Sequence, residues 1–176
     1  DVEGQWSPTI LQALGGLRAT MGESMLVFAP HANSWRRFSA NSYAPVAPTW
    51  GVNNRSVALR IPAGDVRARR IEHRVAGGDV NPYLMLAAIL GAALDGITQA
   101  MEPPAPVTGN SYAIEDLPQI PDTWEAAIDA LEHSQIVPRF LHPELIKNLI
   151  STKRQELHYI GELTDTERVE LYLDTV

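Results

Sequence analysis

Ile10, Leu11, Leu14 and Leu17 recur at intervals of three and four, the spacing that stacks side chains on one helix face. Ser7 and Pro8 stand just ahead as N-cap and first helical residue. Gly15-Gly16 weakens the middle of this helix. The pattern resumes through Met21, Met25 and Leu26 and is expected to end before Pro30. From His31 to Pro48 the chain turns polar and reads as a long ordered loop, a kind of segment that is often functional in compact domains. At Ser56 to Ile61 the period becomes two, with Val57, Leu59 and Ile61 on one face of a strand and Arg60 on the other. Pro62-Ala63-Gly64-Asp65 is a turn signal. A second strand, Arg70 to Val75, sets Arg70, Glu72 and Arg74 on one face and Ile71, His73 and Val75 on the other. Paired as an antiparallel hairpin, the two strands bring Arg60 near Glu72.

Asn81-Pro82 caps a helix reaching about Ala100, whose Ala87, Ala88, Gly91, Ala92 and Ala93 permit close approach of a neighbouring element. Met101 to Asp122 is rich in proline and reads as a surface connection. Three helical patterns follow: Thr123 to His133, Pro143 to roughly Gly161, and Thr164 to Leu173, the last opened by a Thr164/Glu167 capping box. There is no internal repeat. The expected fold class is α+β, with few antiparallel strands packed with helices and a helical C-terminal tail.

A chain of 176 residues, 45% hydrophobic and 20% charged, is long enough to bury one core. It has no cysteine, which excludes disulfides and thiolate metal sites and agrees with a cytoplasmic setting. The longest mostly apolar run, Tyr83 to Leu94, is too short to cross a bilayer, so no membrane association is expected. No targeting segment is visible at Asp1-Val2-Glu3, and the start reads as the interior of a longer protein.

Charge changes the picture more. Between Pro30 and Arg74 stand Arg36, Arg37, Arg55, Arg60, Arg67, Arg69, Arg70 and Arg74 against only Asp65 and Glu72. That local balance of +6 leaves −13 for the rest of a chain whose total is −7. Guanidinium groups stay charged and present a planar fork of donors to carboxylate and phosphate oxygens. Eight arginines without a lysine therefore suggest oxyanion recognition. The acidic remainder argues against a nucleic-acid surface, and no recognition helix carries the arginines.

Five signatures in order then resemble the glutamine synthetase superfamily: Asn33-Ser34-Trp35-Arg36-Arg37-Phe38, Tyr43-Ala44-Pro45-Val46, Asn54-Arg55-Ser56 through Arg60-Ile61-Pro62, Arg69-Arg70-Ile71-Glu72-His73-Arg74, and Asn81-Pro82-Tyr83-Leu84. The resemblance runs from about Leu14 to Ile97, with a looser helical tail. It implies an ATP-dependent ligase that joins the γ-carboxylate of glutamate to an amine through γ-glutamyl phosphate. Arg37 and Arg74 would hold the amino-acid carboxylates. Arg55 and Arg60 would contact the transferring phosphate, Arg70 the nucleotide side, and Glu72 a divalent ion, Mg²⁺ or Mn²⁺. The resemblance also implies a homo-oligomeric ring. It marks the 176 residues as the C-terminal part of a catalytic domain, inactive alone because one carboxylate makes no metal cage, and inclined to self-associate through exposed helix faces.

One departure carries information. Where ammonia-using relatives present a glutamate before Ala-Pro-Val, this chain has Tyr43. A phenol is neutral at pH 7 and a poor counter-ion for ammonium, yet its face attracts a larger cationic amine. The expected nucleophile is an organic amine, and the local wording resembles the γ-glutamylpolyamine synthetase branch, with putrescine or a related amine leading. An ammonia-dependent enzyme and a non-catalytic scaffold are the alternatives. Without the resemblance, Arg70/Glu72/Arg74 would read as a salt-bridge ladder. Arg36, Arg67 and Arg69 read as surface or structural, His73 as a packing histidine, His31 as a satisfied loop histidine, and Trp35 and Trp50 as packing residues, with Trp50 also placed to line a pocket. Tyr112 reads as an exposed loop tyrosine; by the resemblance it lies where some relatives carry a modified tyrosine.

Overall fold

The computed structural model describes residues 6–175; Asp1-Val2-Glu3, whose reading as the interior of a longer protein rests on sequence alone, lies outside the described residues. Helix α1 runs Pro8–Ala19, with the Ser7 hydroxyl accepting from the Ile10 N–H at 3.3 Å. The apolar pattern expected to run on as one helix breaks here. The Thr20 hydroxyl bonds back to the Gly16 carbonyl at 3.0 Å, a turn follows, and a separate short helix α2 occupies Met25–Phe28. Such back-bonding by a threonine competes with the helical ladder.

Gly15-Gly16 does not weaken α1. Gly16 is what allows α3 (Pro82–Thr98) to lie against α1, and Gly15 leaves room for the Met101 backbone just beyond. A Cβ at Gly16 would run into the Ala92 carbonyl and Gly96, and one at Gly96 would meet the Gln12 carbonyl. Asn81 caps α3, its Oδ1 accepting from Tyr83 and Leu84. The opposite face of α3 leaves Tyr83, Leu86, Leu90 and Leu94 exposed.

Three short strands form one sheet in the order β1 (Trp50–Val52), β2 (Leu59–Ile61), β3 (Glu72–His73). β2 and β3 pair antiparallel with Arg60 opposite Glu72, as the alternation requires. Both are shorter than their apolar patterns. β1 carries no strand signal in the sequence, and it pairs parallel to β2 with Trp50 opposite Leu59. Gly51 sits there because a Cβ would press on the Val107 carbonyl.

Helices α4 (Trp124–Glu132), α5 (Pro143–Gly161) and α6 (Asp165–Thr175) complete the chain close to their expected bounds. The Thr164/Glu167 box is formed, with the Thr164 N–H donating to Glu167 Oε2 at 2.8 Å. The core joins Leu14, Met25 and Leu26 to Leu59, Ile61 and Val75 under the sheet, and to Trp124, Ile128, Leu131, Ile146 and Ile150 on the helical side. Among the described residues no helix is long and apolar enough to cross a membrane.

Candidate active site

The register of β2 against β3 places Arg60 and Glu72 side by side on the face turned from the core. Arg60 Nη1 donates to Glu72 Oε2 at 2.9 Å, and Arg74 Nε lies 3.2 Å from Glu72 Oε1. One carboxylate thus stands between two guanidinium groups, each more than four-fifths buried. Arg60 Nη2 also donates to Asn53 Oδ1 at 2.7 Å, while its Nε is buried without a hydrogen-bond partner. Sequence reasoning passed over Asn53. Its place in an Asn-Asn turn and its left-handed φ of 47° fit the turn chemistry of asparagine.

Arg74 is an anchor. Its Nη1 donates to the Val57 carbonyl at 3.1 Å and, at short range, to that of Arg55; Nη2 donates to the Tyr43 carbonyl at 3.3 Å. A guanidinium has five N–H donors; three are occupied in this way, and Nε faces Glu72 as an ion pair. Arg74 therefore ties β3, the Arg55 loop and the Tyr43 turn together.

Arg37 lies in the 3-10 segment Ala32–Arg37, inside the stretch expected to be loop. Its Nη2 donates to the carbonyls of Phe28 (3.4 Å) and Val75, and its guanidinium carbon sits 4.1 Å from the Phe38 ring centroid. Burial lowers its pKa, and the nearby Asp79 charge raises it. Asp79, not singled out in the sequence, also accepts from the Ser34 hydroxyl at short range. Arg70 lies outside β3, which begins only at Glu72; it is exposed and donates to the Ala68 carbonyl at 3.1 Å. Arg55 is exposed, with no partner for its guanidinium among the described residues.

Tyr43 is 65% exposed and has φ of 62°. Tyr43, Asn54, Arg55, Ser56, Asn110 and Tyr112 line a surface pocket of about 340 Å³. Tyr112 is half-buried, and its hydroxyl donates to the Ala44 carbonyl at 2.8 Å, so it is not the free loop tyrosine expected. Trp50 does not line this pocket; it is buried and its Nε1 donates to the Pro104 carbonyl at 2.6 Å. His73 packs as expected, its ring 4.5 Å from Phe28, and burial together with Arg37 lowers its pKa to about 4. Arg36 pairs with Asp165 at 3.6 Å, and Arg69 lies over the Trp6 ring. His31 is satisfied by Glu156, 3.4 Å away.

A divalent ion does not fit the residues described here. Both oxygens of Glu72 face guanidinium groups, and no cluster of three or more His, Cys, Asp or Glu side chains is placed to hold a metal among the described residues. An oxyanion fits better: Arg60 keeps a buried unpaired N–H and Arg55 a free guanidinium.

With this geometry in hand, residues 1–172 match the glutamine synthetase catalytic domain, and the chain belongs to that family. A γ-glutamylputrescine synthetase of Escherichia coli (strain K12) is 39% identical over 168 residues, 95% of this chain and 35% of that protein. A γ-glutamylethanolamide synthetase of Streptomyces coelicolor is 38% identical over 165 residues, 93% of this chain and 35% of that protein. The solved structure of apo GmaS superposes with a TM-score of 0.79 at 35% identity, covering 96% of this chain and 39% of that one. A GmaS/ADP complex gives 0.78 at 31% identity, covering 99% and 41%. The chain thus spans about a third of the length of the curated relatives it matches.

Proposed function

We propose that this protein is an ATP-dependent ligase that joins the γ-carboxylate of glutamate to an organic amine through γ-glutamyl phosphate. The observation that carries the reading is the Arg60–Glu72–Arg74 cluster on the outer face of the sheet, beside a free Arg55. When a carboxylate attacks the γ-phosphorus of ATP, negative charge gathers on oxygens that fixed cations must offset. ATP supplies the phosphoryl group. On this chain, Arg55 and the unpaired Nε of Arg60 are the donors with capacity to receive it.

Arg74 and Arg37 are assigned to the substrate carboxylates: Arg74 chiefly as placed positive charge, since three of its donors hold backbone carbonyls, and Arg37, with two donors on carbonyls, through its unpaired Nε as well. Arg70, exposed at the edge, remains the assignment for the nucleotide side. Tyr43 offers an aromatic face to the amine, which supports an organic amine over ammonia. The relatives at 39% and 38% identity make a diamine such as putrescine and an amino alcohol the first candidates. Glu72 contributes one carboxylate to Mg²⁺ or Mn²⁺ at most, and the other ligands have to come from outside the described residues. The 176 residues alone are therefore expected to be inactive, as the C-terminal part of a catalytic domain whose complete form is a homo-oligomeric, cytoplasmic ring.

The test is to incubate the full-length protein with glutamate, ATP and ammonia or a panel of mono- and diamines, reading ADP release and the γ-glutamyl product by mass spectrometry. An organic amine preferred over ammonia is the expected result. Preference for ammonia overturns the amine assignment, and no ATP-dependent product with any nucleophile overturns the ligase.

A further inference from the structure

The turn that carries Tyr43 is held from outside by few groups. Asn41 and Tyr43 both have left-handed φ, 63° and 62°, a conformation that asparagine tolerates and that strains a tyrosine. The Tyr43 ring itself is exposed, whereas Ala44 and Pro45 after it are buried. Within the loop the Ser42 hydroxyl reaches the carbonyls of Arg37 and Ser39, at 2.8 and 2.6 Å, and accepts from the Ala44 N–H at 3.1 Å. From outside, two described side chains bond to the Tyr43-Ala44 unit: Arg74 at the Tyr43 carbonyl, 3.3 Å, and Tyr112 at the Ala44 carbonyl, 2.8 Å.

These two ties are unequal. The bond from Arg74 is long, and a guanidinium that grips a carboxylate with two N–H groups needs one more donor than Arg74 has to spare. The tie to Tyr43 is the one most readily given up when substrate arrives. The tie from Tyr112 involves no group with a role toward glutamate or phosphate, and its base is stitched down. The Asn110 side chain accepts from the Tyr112 N–H at 3.1 Å. The Ser111 N–H donates to the Ser56 hydroxyl at 2.9 Å, and the Ser111 hydroxyl donates to the Ser56 carbonyl at 2.5 Å. Asn54 Nδ2 donates to the Gly109 carbonyl at 2.8 Å.

We propose that Tyr112 is a positioning residue whose hydroxyl, through the Ala44 carbonyl, fixes the Tyr43 turn over the pocket that accepts the amine. This inference rests on the ligase reading above for its kinetic consequence, though not for its structural one. Tyr112 sets where the Tyr43 ring stands, and so which amines the pocket takes, without contacting the reacting atoms.

The experiment compares full-length wild type with Tyr112→Phe, which keeps the ring and removes one hydroxyl. Steady-state kinetics use glutamate, ATP and the organic amine that wild type uses best. Hydrogen exchange is followed at the Tyr43, Ala44 and Val46 amides and, as a reference, across β2. The expected result is a rise of about 3- to 10-fold in KM for the amine, the worth of one hydrogen bond. kcat and the KM values for glutamate and ATP stay within about twofold of wild type on the same scale. Exchange at the three amides quickens while β2 is unchanged. Asn110→Ala, which loosens the base of Tyr112 and leaves its hydroxyl, gives the same pattern in weaker form. An unchanged amine KM with unchanged exchange overturns the proposal, as does a parallel rise in all three KM values, which marks a general structural role. If wild type makes no product with any amine, the ligase reading fails, and the exchange comparison still decides whether Tyr112 holds the turn.

Discussion

Replacing Glu72 by Gln tests whether the arginine cluster depends on the carboxylate at its centre. The substitution keeps the side chain's shape and one acceptor, and it removes the charge that faces Arg60 at 2.9 Å and Arg74 at 3.2 Å. With charge centres ~4 Å apart and an effective dielectric of ~20, each pair is worth about 4 kcal/mol before costs. Repulsion between the two guanidinium groups and the desolvation of all three residues take back most of that. Glu72 is also 38% exposed, so solvent screens it, while Arg60 and Arg74 are 17% and 15% exposed and feel its loss more fully. The net loss falls between a surface pair and a buried one, about 1–2 kcal/mol. In urea titrations with a slope of ~2 kcal/mol per M, the midpoint drops by roughly 0.5–1 M. The gap from wild type narrows at 1 M salt, where the screening length is only about 3 Å. A double-mutant cycle with Arg60→Met isolates the pair and should give a coupling of about 1 kcal/mol. A Glu72→Gln protein within ~0.3 kcal/mol of wild type, with no coupling to Arg60, would refute the claim that this carboxylate organises the cluster.

Other outcomes follow from the same geometry. Tyr43→Glu returns a carboxylate to the turn; relative activity should shift toward ammonia, with organic-amine kcat/KM falling by roughly 2- to 30-fold, the worth of a lost cation–π contact. Gly16→Ala forces a methyl group into the Ala92 carbonyl and Gly96, and should cost at least ~2 kcal/mol in chemical denaturation. Acid stability should fall in two windows. His73 has a folded pKa of about 4 against an ordinary 6.5, so the unfolded chain takes up its proton first; the contribution is intact above 6.5 and is lost as pH falls toward 4. Burial alone would raise the Glu156 pKa, but hydrogen bonds from His31, Lys153 and Tyr172 hold it at about 2, so its contribution is intact above 4.5 and is lost toward 2. His73→Leu should flatten the stability profile between pH 6.5 and 4.5, and Glu156→Gln should flatten it below 4.5, each read from urea midpoints across pH.

The Arg60–Glu72 contact was legible in the sequence because a period-two pattern and a turn signal fix both the register and the face. The packing of His73 on the Phe28 side of β3 and the capping box at Thr164 were legible from local patterns too. β1 was not: Trp50-Gly51-Val52 is three residues long with a glycine at its centre, and its pairing is decided by distant groups, such as the Asn53 N–H reaching the Ile61 carbonyl at 2.8 Å. Gly15-Gly16 misled because propensity counts a glycine against a helix, whereas its packing partner, α3, starts more than sixty residues later. Tyr112 read as an exposed loop tyrosine because its contact is one long-range bond to Ala44, which no local pattern encodes. Arg70 was counted into the strand because alternation was extended past the point where pairing begins.

Counting donors divides the arginines in a way their spacing does not. Arg74 spends three of its N–H groups on the carbonyls of Val57, Arg55 and Tyr43, and Arg37 spends two on those of Phe28 and Val75 while its buried Nε stays unpaired, so both help fix the shape of the wall. Arg55 and the Nε of Arg60 spend nothing, so reception of an oxyanion falls first to them. Glu72 holds Arg60 and Arg74 in place, and a carboxylate engaged on both oxygens cannot serve fully as a metal ligand at the same time. Filling the site therefore has to redistribute these bonds. Arg74, with one donor free, makes room for a substrate carboxylate most easily by releasing the Tyr43 carbonyl. On the proposed ligase reading, glutamate and the Tyr43 turn would then compete for one guanidinium, which would link occupancy of the amino-acid site to the position of the Tyr43 ring.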